Sequence, residues 1–187
     1  MKKHLITACL YTVITGIVLG IVYPLLVTGI ARLAFHNQAD GQLIVQNGEI
    51  RGSRLIGQPF TGAGYFHSRP SFAGTGYDAS SSSGSNLAPT SKALIDKVNA
   101  GVTTENASGT VPVDLVTASG SGLDPDITPA AALYQVPRVA RERHMSEASL
   151  QQLVNAHTTP RQFGLLGEPR TNVLDLNMAL DSLAAKQ

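Results

Sequence analysis

The stretch "LITACLYTVITGIVLGIVYPLLVTGIA", residues 5–31, decides the fold of this 187-residue chain, because it contains no Asp, Glu, Lys or Arg. At about 1.5 Å of rise per residue, a helix of this length exceeds the ~30 Å of hydrocarbon that a membrane span must cross. A cleaved signal peptide is the competing interpretation, but its apolar core usually has only about 7–15 residues. The sequence therefore predicts one uncleaved transmembrane helix within residues 1–35, including a short cytoplasmic tail.

The charges that flank this segment predict its orientation. Lys2, Lys3 and His4 precede the span, whereas Arg32 is the cation that closely follows it. Positive residues favour the cytoplasmic side of a membrane. We therefore expect a single-pass protein with a cytoplasmic N-terminus, in which residues 36–187 form a soluble extracytoplasmic domain.

One face of the predicted span carries small and polar residues, and it is a candidate for docking against other membrane helices. Gly16 and Gly20 form a G-x-x-x-G pair, which lets a second helix approach closely in lipid. Pro24 cannot donate a hydrogen bond to the Gly20 carbonyl, so we expect a bend there. An ordinary lipid anchor with incidental glycines is the alternative. The predicted partner face comprises Thr12, Gly16, Gly20, Tyr23, Pro24 and Thr28.

Composition excludes several classes of function for this chain. The formal net charge of +1 argues against nucleic-acid binding. Cys9 is the single cysteine, which rules out an intramolecular disulfide and Cys-based zinc sites. The five histidines are scattered without metal-ligand spacing, and a phosphate-binding G-x-x-x-x-G-K-[ST] loop is absent. We expect no metal or cofactor to be bound by this chain itself.

The outer residues alternate between strand-like and helix-like patterns, which predicts a small mixed α+β domain. Asn47-Gly48 between two β-prone runs predicts a hairpin of residues 43–46 with 49–53. Two further strands are predicted, at "RLIGQPF", residues 54–60, and at "GTVPVDLVTAS", residues 109–119. The serine-rich residues 71–91 are expected to form an ordered surface loop.

Capping residues place four helices in this domain. The first runs from a Thr90 or Ser91 cap to a stop at Gly101. The second begins after Thr128 and is interrupted at Pro137. The third extends from a Ser146 cap to about Ala156, and "NVLDLNMALDSLA", residues 172–184, predicts a short strand that turns into the fourth.

The segment "VDLVTASGSGLDPDIT", residues 113–128, has the composition of an active site. Ser119 or Ser121 could act as a nucleophile if folding brought His144 or His157 close, which would make a membrane-anchored extracytoplasmic serine hydrolase. No G-x-S-x-G motif supports that chemistry.

A turn explains the same residues more simply. Gly120 and Gly122 permit positive φ, Asp124 and Asp126 can accept backbone amide hydrogen bonds, and Pro125 fixes a bend. We therefore favour a structural or partner-binding role over catalysis. The predicted outer contact surface comprises Tyr65, Phe66, Arg69, Asn86, Ser119, Ser121, Asp124 and Asp126.

Several blocks give the chain a family resemblance over nearly its whole length. They include "YPLLVTGIA", "YFHSRPS", "DLVTASGSGLDPDIT" and "LVNAHTTPRQFGLLGEPRTNVLDLNMAL". In this order, they resemble the KdpC family, the small single-span subunit of Kdp-type potassium-transporting P-type ATPases.

The resemblance implies a bacterial inner-membrane complex of four components that takes up potassium at the expense of ATP. Its other members are a channel-like potassium-translocating subunit, a P-type subunit that binds ATP and Mg, and a further small single-span subunit. The implied role of this chain is that of a non-catalytic accessory subunit, needed for assembly and stability and docked on the channel-like subunit. The phosphorylation motif D-K-T-G-T is absent from this sequence, so this chain is not expected to hydrolyse ATP alone. An alternative role, assistance in ATP binding through Gln151 or Gln152, conflicts with the predicted topology.

Overall fold

The computed structural model describes residues 1–46, 48–105 and 110–184. The chain divides into two compact units, Met1–Leu43 and Ile44–Gln187. Asn47, one half of the predicted hairpin turn, lies outside the described residues.

The first unit is a long helix followed by a short one. Helix α1 covers Lys2–Ile17, a π-helical turn covers Val18–Val22, α2 covers Tyr23–Ala34 and α3 covers His36–Ala39. Together α1, the π turn and α2 form a continuous 33-residue helix. By length and composition, it is the single helix in the described ranges that could cross a membrane.

The π turn lies immediately before Pro24. The Tyr23 amide donates to the Val18 carbonyl five residues earlier, instead of the usual four. Because Pro24 has no amide for the Gly20 carbonyl and its ring crowds that carbonyl, a wider turn relieves the conflict. The structure thus shows a local change in hydrogen bonding just before this proline, and the bend expected there stays a prediction.

The predicted hairpin comes next along the chain. Strand β1, Leu43–Gln46, pairs with β2, Glu49–Ser53. Gly48 has φ 80°, a conformation that glycine adopts without steric cost.

A second sheet has three very short antiparallel strands in the order β3-β5-β4. They are β3, Asp126–Ile127, β4, Thr158–Thr159, and β5, Arg170–Asn172. The buried Thr171 of β5 lies opposite Ile127 on one side and Thr158 on the other.

The described part of the second unit also contains four helices. They are α4, Lys92–Thr104, α5, Pro129–Arg143, α6, Glu147–Ala156, and α7, Val173–Ala184. Helix α6 packs against both α5 and α7. The fully buried large apolar side chains that form the core are Phe66, Val136, Val139, Leu150, Val154, Val173, Leu176 and Leu180. The α+β class predicted from the sequence is confirmed.

Both predicted N-caps of the C-terminal half are confirmed. The Thr128 side chain accepts the Ala131 amide at the start of α5, and the Ser146 side chain accepts the Ser149 amide at the start of α6. Each hydroxyl satisfies a backbone donor that has no partner within its own helix.

Two predicted strands are wrong. Residues 54–60 contain no strand, and the described part of 109–119 contains instead a short 3-10 turn, Val113–Leu115. In the latter segment Leu115 and Asp114 are buried while Val113 is exposed. The Asp114 carboxylate accepts the Thr128 amide at 2.9 Å, so this segment is held by a side chain rather than by a neighbouring strand.

Two predicted helix boundaries are also wrong. Helix α5 continues through Pro137, because Val136, Val139 and Ala140 are buried on both sides of the proline and hold the helix in place. Helix α4 likewise continues past Gly101 to Thr104.

Candidate partner-binding surfaces

All residues of the predicted partner face of the span are exposed. None of the residues of α1, the π turn or α2 is buried. A Cβ atom built on Gly16 or Gly20 would meet nothing within 4 Å outside its own helix backbone. These glycines therefore have no packing role inside the described chain, and their surface is available to another helix.

Residues 113–128 tie the second unit together through backbone groups. The Gly57 amide donates to the Leu123 carbonyl at 2.7 Å, and the Val173 amide donates to the Pro125 carbonyl at 3.0 Å. These bonds join the segment to the loop after β2 and to the start of α7. The segment thus has a structural role, as its turn residues indicated.

The two candidate nucleophiles are used as hydrogen-bond acceptors in this turn. The Gly122 amide donates to Ser119 Oγ at 3.0 Å, and the Leu123 amide donates to Ser121 Oγ at 3.1 Å. His157 Nδ1 instead lies 3.0 Å from the Leu153 carbonyl oxygen. In the described part of the chain, no serine–histidine pair of the kind that activates a nucleophile involves these hydroxyls.

Gly122 is the tightest point of the turn. Its φ is 67°, and an added Cβ would collide with the Ser83 carbonyl oxygen and lie 2.8 Å from the Ala73 amide nitrogen. The Gly122 carbonyl also accepts the Ser71 hydroxyl at 2.6 Å. The serine-rich segment is therefore an ordered loop packed on this turn, as predicted, and it exposes Asn86.

The acidic members of the predicted outer surface are paired with arginines. Arg69 Nη1 donates to Asp124 Oδ2 at 3.1 Å, while Arg170 Nε lies 3.0 Å from Asp126 Oδ2. Burial raises the pKa of Asp126, the nearby Asp124 carboxylate adds to that rise, and Arg170 offsets only part of it. The described residues contain no cluster of three or more His, Cys, Asp and Glu side chains suited to a metal ion.

The structure separates Phe66 from the other members of this predicted surface. Phe66 is fully buried in the core, so it cannot contact a partner from the surface. Its amide donates to Asn177 Oδ1 and its carbonyl accepts Asn177 Nδ2, both at 2.9 Å. The neighbouring Tyr65 faces outward, with its hydroxyl donating to Asp181 at 3.2 Å and the Arg143 guanidinium 4.4 Å from its ring centroid.

The next residue, His67, joins the same loop to helices α4 and α5. His67 Nδ1 lies 2.7 Å from Glu105 Oε1, and the His67 amide donates to Gln135 Oε1 at 2.7 Å. Burial alone would raise the pKa of Glu105, but the hydrogen bond and charge of His67, together with the charge of Arg138, outweigh it and lower that pKa. This contact is a structural link between side chains that are mostly buried.

Sequence reasoning missed an exposed apolar loop tip between β4 and β5, residues 162–167. Phe163 is 85% exposed, Leu165 80% and Leu166 60%. The signal was present in the sequence, because "FGLLG" is an apolar run in a loop, where polar residues are usual. Pro160 and Pro169 flank this run, so the loop could have been recognised from the sequence as a candidate binding element.

Residues 5–182 match the family model described as KdpC, K+-transporting ATPase, c chain. The chain belongs to the KdpC family. The resemblance noted from the sequence blocks is therefore confirmed over the span and the second unit together.

Relatives that cover almost the full length of the chain support the same family. A protein of Acidobacterium capsulatum is 61% identical over 97% of this chain and 99% of its own length. A protein of Koribacter versatilis is 59% identical over 97% of this chain and 95% of its own length. A protein of Gemmatimonas aurantiaca is 53% identical over 99% of this chain and 96% of its own length. Each is named potassium-transporting ATPase KdpC subunit.

Proposed function

We propose that this chain is a non-catalytic accessory subunit of an ATP-driven potassium uptake complex in the bacterial inner membrane. The family match over residues 5–182 carries the proposal. In this function, potassium is the transported ion, and ATP and Mg are bound by a P-type partner subunit. The use of Ser119 and Ser121 as turn acceptors supports a role without catalysis.

The long apolar helix is proposed to cross the membrane with its N-terminus in the cytoplasm. Lys2 and Lys3 before the span support this orientation. Residues 36–187 would then lie outside the cell membrane, where cytoplasmic ATP does not reach. Gln151 and Gln152, which are exposed on α6, would be on that outer side.

The helix is further proposed to dock on the channel-like subunit through its G-x-x-x-G face. The face comprises Thr12, Gly16, Gly20, Tyr23, Pro24 and Thr28. The open space around a Cβ built on Gly16 or Gly20 in the described part of the chain supports this role, because close helix approach in lipid depends on small residues. The exposed residues of the outer surface, among them Asn86 and Ser121, are proposed as a second contact with the same complex.

Co-purification of the complex tests the docking face. The double variant Gly16→Leu/Gly20→Leu should reduce recovery of the potassium-translocating partner with this chain, because two side chains would separate the helices. Gly29→Leu is the matched control, since it adds the same side chain to the same helix, also with nothing within 4 Å. Equal recovery of the partner with the double variant and with the control would contradict the docking face.

Cysteine labelling tests the orientation. Cys9 is the single native cysteine, so a Cys9→Ser background leaves one reactive thiol in each variant. In intact spheroplasts, an impermeant thiol reagent should label Gln152→Cys and should label Lys3→Cys only after permeabilisation. The reverse pattern would place α6 in the cytoplasm and restore the ATP-binding alternative.

A further inference from the structure

The apolar tip, residues 162–167, exposes its large apolar side chains to solvent more than the rest of the second unit does. Phe163 and Leu165 are 85% and 80% exposed, whereas no other large apolar residue in the described part of that unit exceeds the 65% of Ile50. Leu166, the next residue, is 60% exposed, so three large apolar side chains lie in solvent within four residues of sequence. Exposing apolar surface in this way costs free energy in water unless something covers it.

Backbone hydrogen bonds fix the shape of the apolar tip. The Gln162 amide donates to the Leu166 carbonyl at 2.8 Å, and the Leu166 amide donates to the Gln162 carbonyl at 2.9 Å. At its base, Arg161 Nη2 lies 2.5 Å from Glu168 Oε2. A loop that is already ordered loses little conformational entropy on binding, so this tip is suited to a specific contact.

The conformation of Phe163 strengthens this view. Its φ is 54°, in the left-handed region that bulky residues seldom adopt, and the glycines at 164 and 167 both have φ 75°. The fold holds an aromatic side chain outward at some cost in backbone strain. Strain of this kind concentrates at ligand and partner sites.

Charge and backbone chemistry favour a protein pocket over a lipid surface. Both arginines near the tip are paired, Arg161 with Glu168 and Arg170 with Asp126, which weakens attraction to anionic headgroups. The Gly164 and Leu165 amides donate to the Arg161 and Gln162 carbonyls within the turn, but a carbonyl of an irregular turn can accept a further hydrogen bond, which hydrocarbon does not provide. A neutral pocket lined by apolar side chains and backbone polar groups can meet both requirements.

We infer that the apolar tip is an anchor that inserts Phe163 and Leu165 into a neutral apolar pocket on the extracytoplasmic surface of a partner subunit of the same complex. This inference rests on the proposed function. It adds a further point of attachment, made by the outer unit, to the two contacts already proposed. Large aromatic and aliphatic side chains seated in a pocket commonly dominate the affinity of an interface.

Site-specific photocrosslinking tests the location of the tip. Phe163 is replaced by p-benzoylphenylalanine in the full chain, which is expressed with the complete complex and irradiated in native membranes. We expect a covalent adduct with a potassium-transport subunit, identified by mass spectrometry, and a much weaker adduct when the same group replaces Ile50. Adducts with lipid alone, adducts with a second copy of this chain, or no adduct would each overturn the inference.

Affinity provides the second test. Phe163→Ser/Leu165→Ser should lower the affinity of this chain for the rest of the complex at least tenfold, while Ile50→Ser should change it less than twofold. Circular dichroism melting checks that the variants fold, which their exposure predicts. If the wild-type chain recovers the complex and the tip variant binds it with unchanged affinity, the inference about the tip is refuted while the proposed function stands. Failure of the wild-type chain to recover any potassium-transport subunit would refute the proposed function, and the tip inference with it.

Discussion

The two units of the chain deal with apolar side chains in opposite ways. In the long helix Lys2–Ala34 no residue is buried by the rest of the chain, whereas the second unit encloses a core that includes Phe66, Leu150 and Leu176. The second unit therefore buries its large apolar side chains in its own core. The helix has no such core within the described chain, so truncating a side chain should have different consequences in the two units.

The largest expected effect separates a buried phenylalanine from an exposed one. Phe66→Ala should lower the free energy of unfolding of the second unit by about 3–5 kcal/mol, because it removes a fully buried ring and leaves a cavity. Phe163→Ala, at 85% exposure, should change it by less than about 0.5 kcal/mol. Thermal unfolding of the full chain in detergent, followed by circular dichroism, measures both. Similar losses from the two variants would show that the tip belongs to the core.

A second variant tests whether buried polar side chains also hold this core. Asn177→Leu keeps the branched shape of the side chain but leaves the Phe66 amide and carbonyl without partners, which should cost about 2–4 kcal/mol. Asn99→Leu, at an exposed position of α4, is the control and should be nearly neutral. Hydrogen exchange at the Phe66 amide should accelerate in the first variant only. Unchanged exchange there would mean that Asn177 does not protect this amide.

A third pair of variants compares two glycines of the same turn. Gly122→Ala should cost about 1–3 kcal/mol, because φ is positive and the new Cβ would collide with the Ser83 carbonyl oxygen. Gly120→Ala, which has open space around it, should have little effect. Urea unfolding at constant pH resolves this difference. Equal midpoints would remove the structural role assigned to the turn.

The smallest expected effect is the pH dependence that Glu105 contributes. Its pKa in the folded chain lies below the ordinary value of 4.5, so the ionised form stabilises the fold. This stabilisation is fully present above pH 4.5 and is lost as the pH falls through the lower, folded-state pKa. Glu105→Gln should therefore flatten the decline in melting temperature on acidification below pH 4.5. A decline as steep as that of the wild-type chain would assign the acid sensitivity to other groups.

Local signals predicted much of the fold. The hairpin strands, the Thr128 and Ser146 caps and the final strand-to-helix transition follow from turn and capping chemistry within a few residues of each site. The span follows from uninterrupted apolar length. These features need no knowledge of what lies across the fold.

The errors arose where distant contacts decide the structure. The apolar residues Val111, Val113 and Leu115 alternate as in a strand, yet the Asp114 carboxylate accepts the Thr128 amide, and the described part of the segment forms a 3-10 turn instead of a strand. Burial on both sides of Pro137 outweighs the usual effect of a proline inside a helix. The prediction that Phe66 lies on the surface is wrong for the same reason. Its burial depends on helices more than sixty residues away in sequence, which contribute Val136 and Leu176 to the same core.

The brevity of the three-stranded sheet affects how this chain behaves when crowded. Its outer strands, Asp126–Ile127 and Thr158–Thr159, are two residues long. Long unpaired edges act as templates on which neighbouring molecules add strands and begin fibrils, whereas very short edges offer too few hydrogen bonds to capture one. Where many copies of the chain are concentrated in a membrane, this sheet therefore offers too few hydrogen bonds for strand exchange between copies.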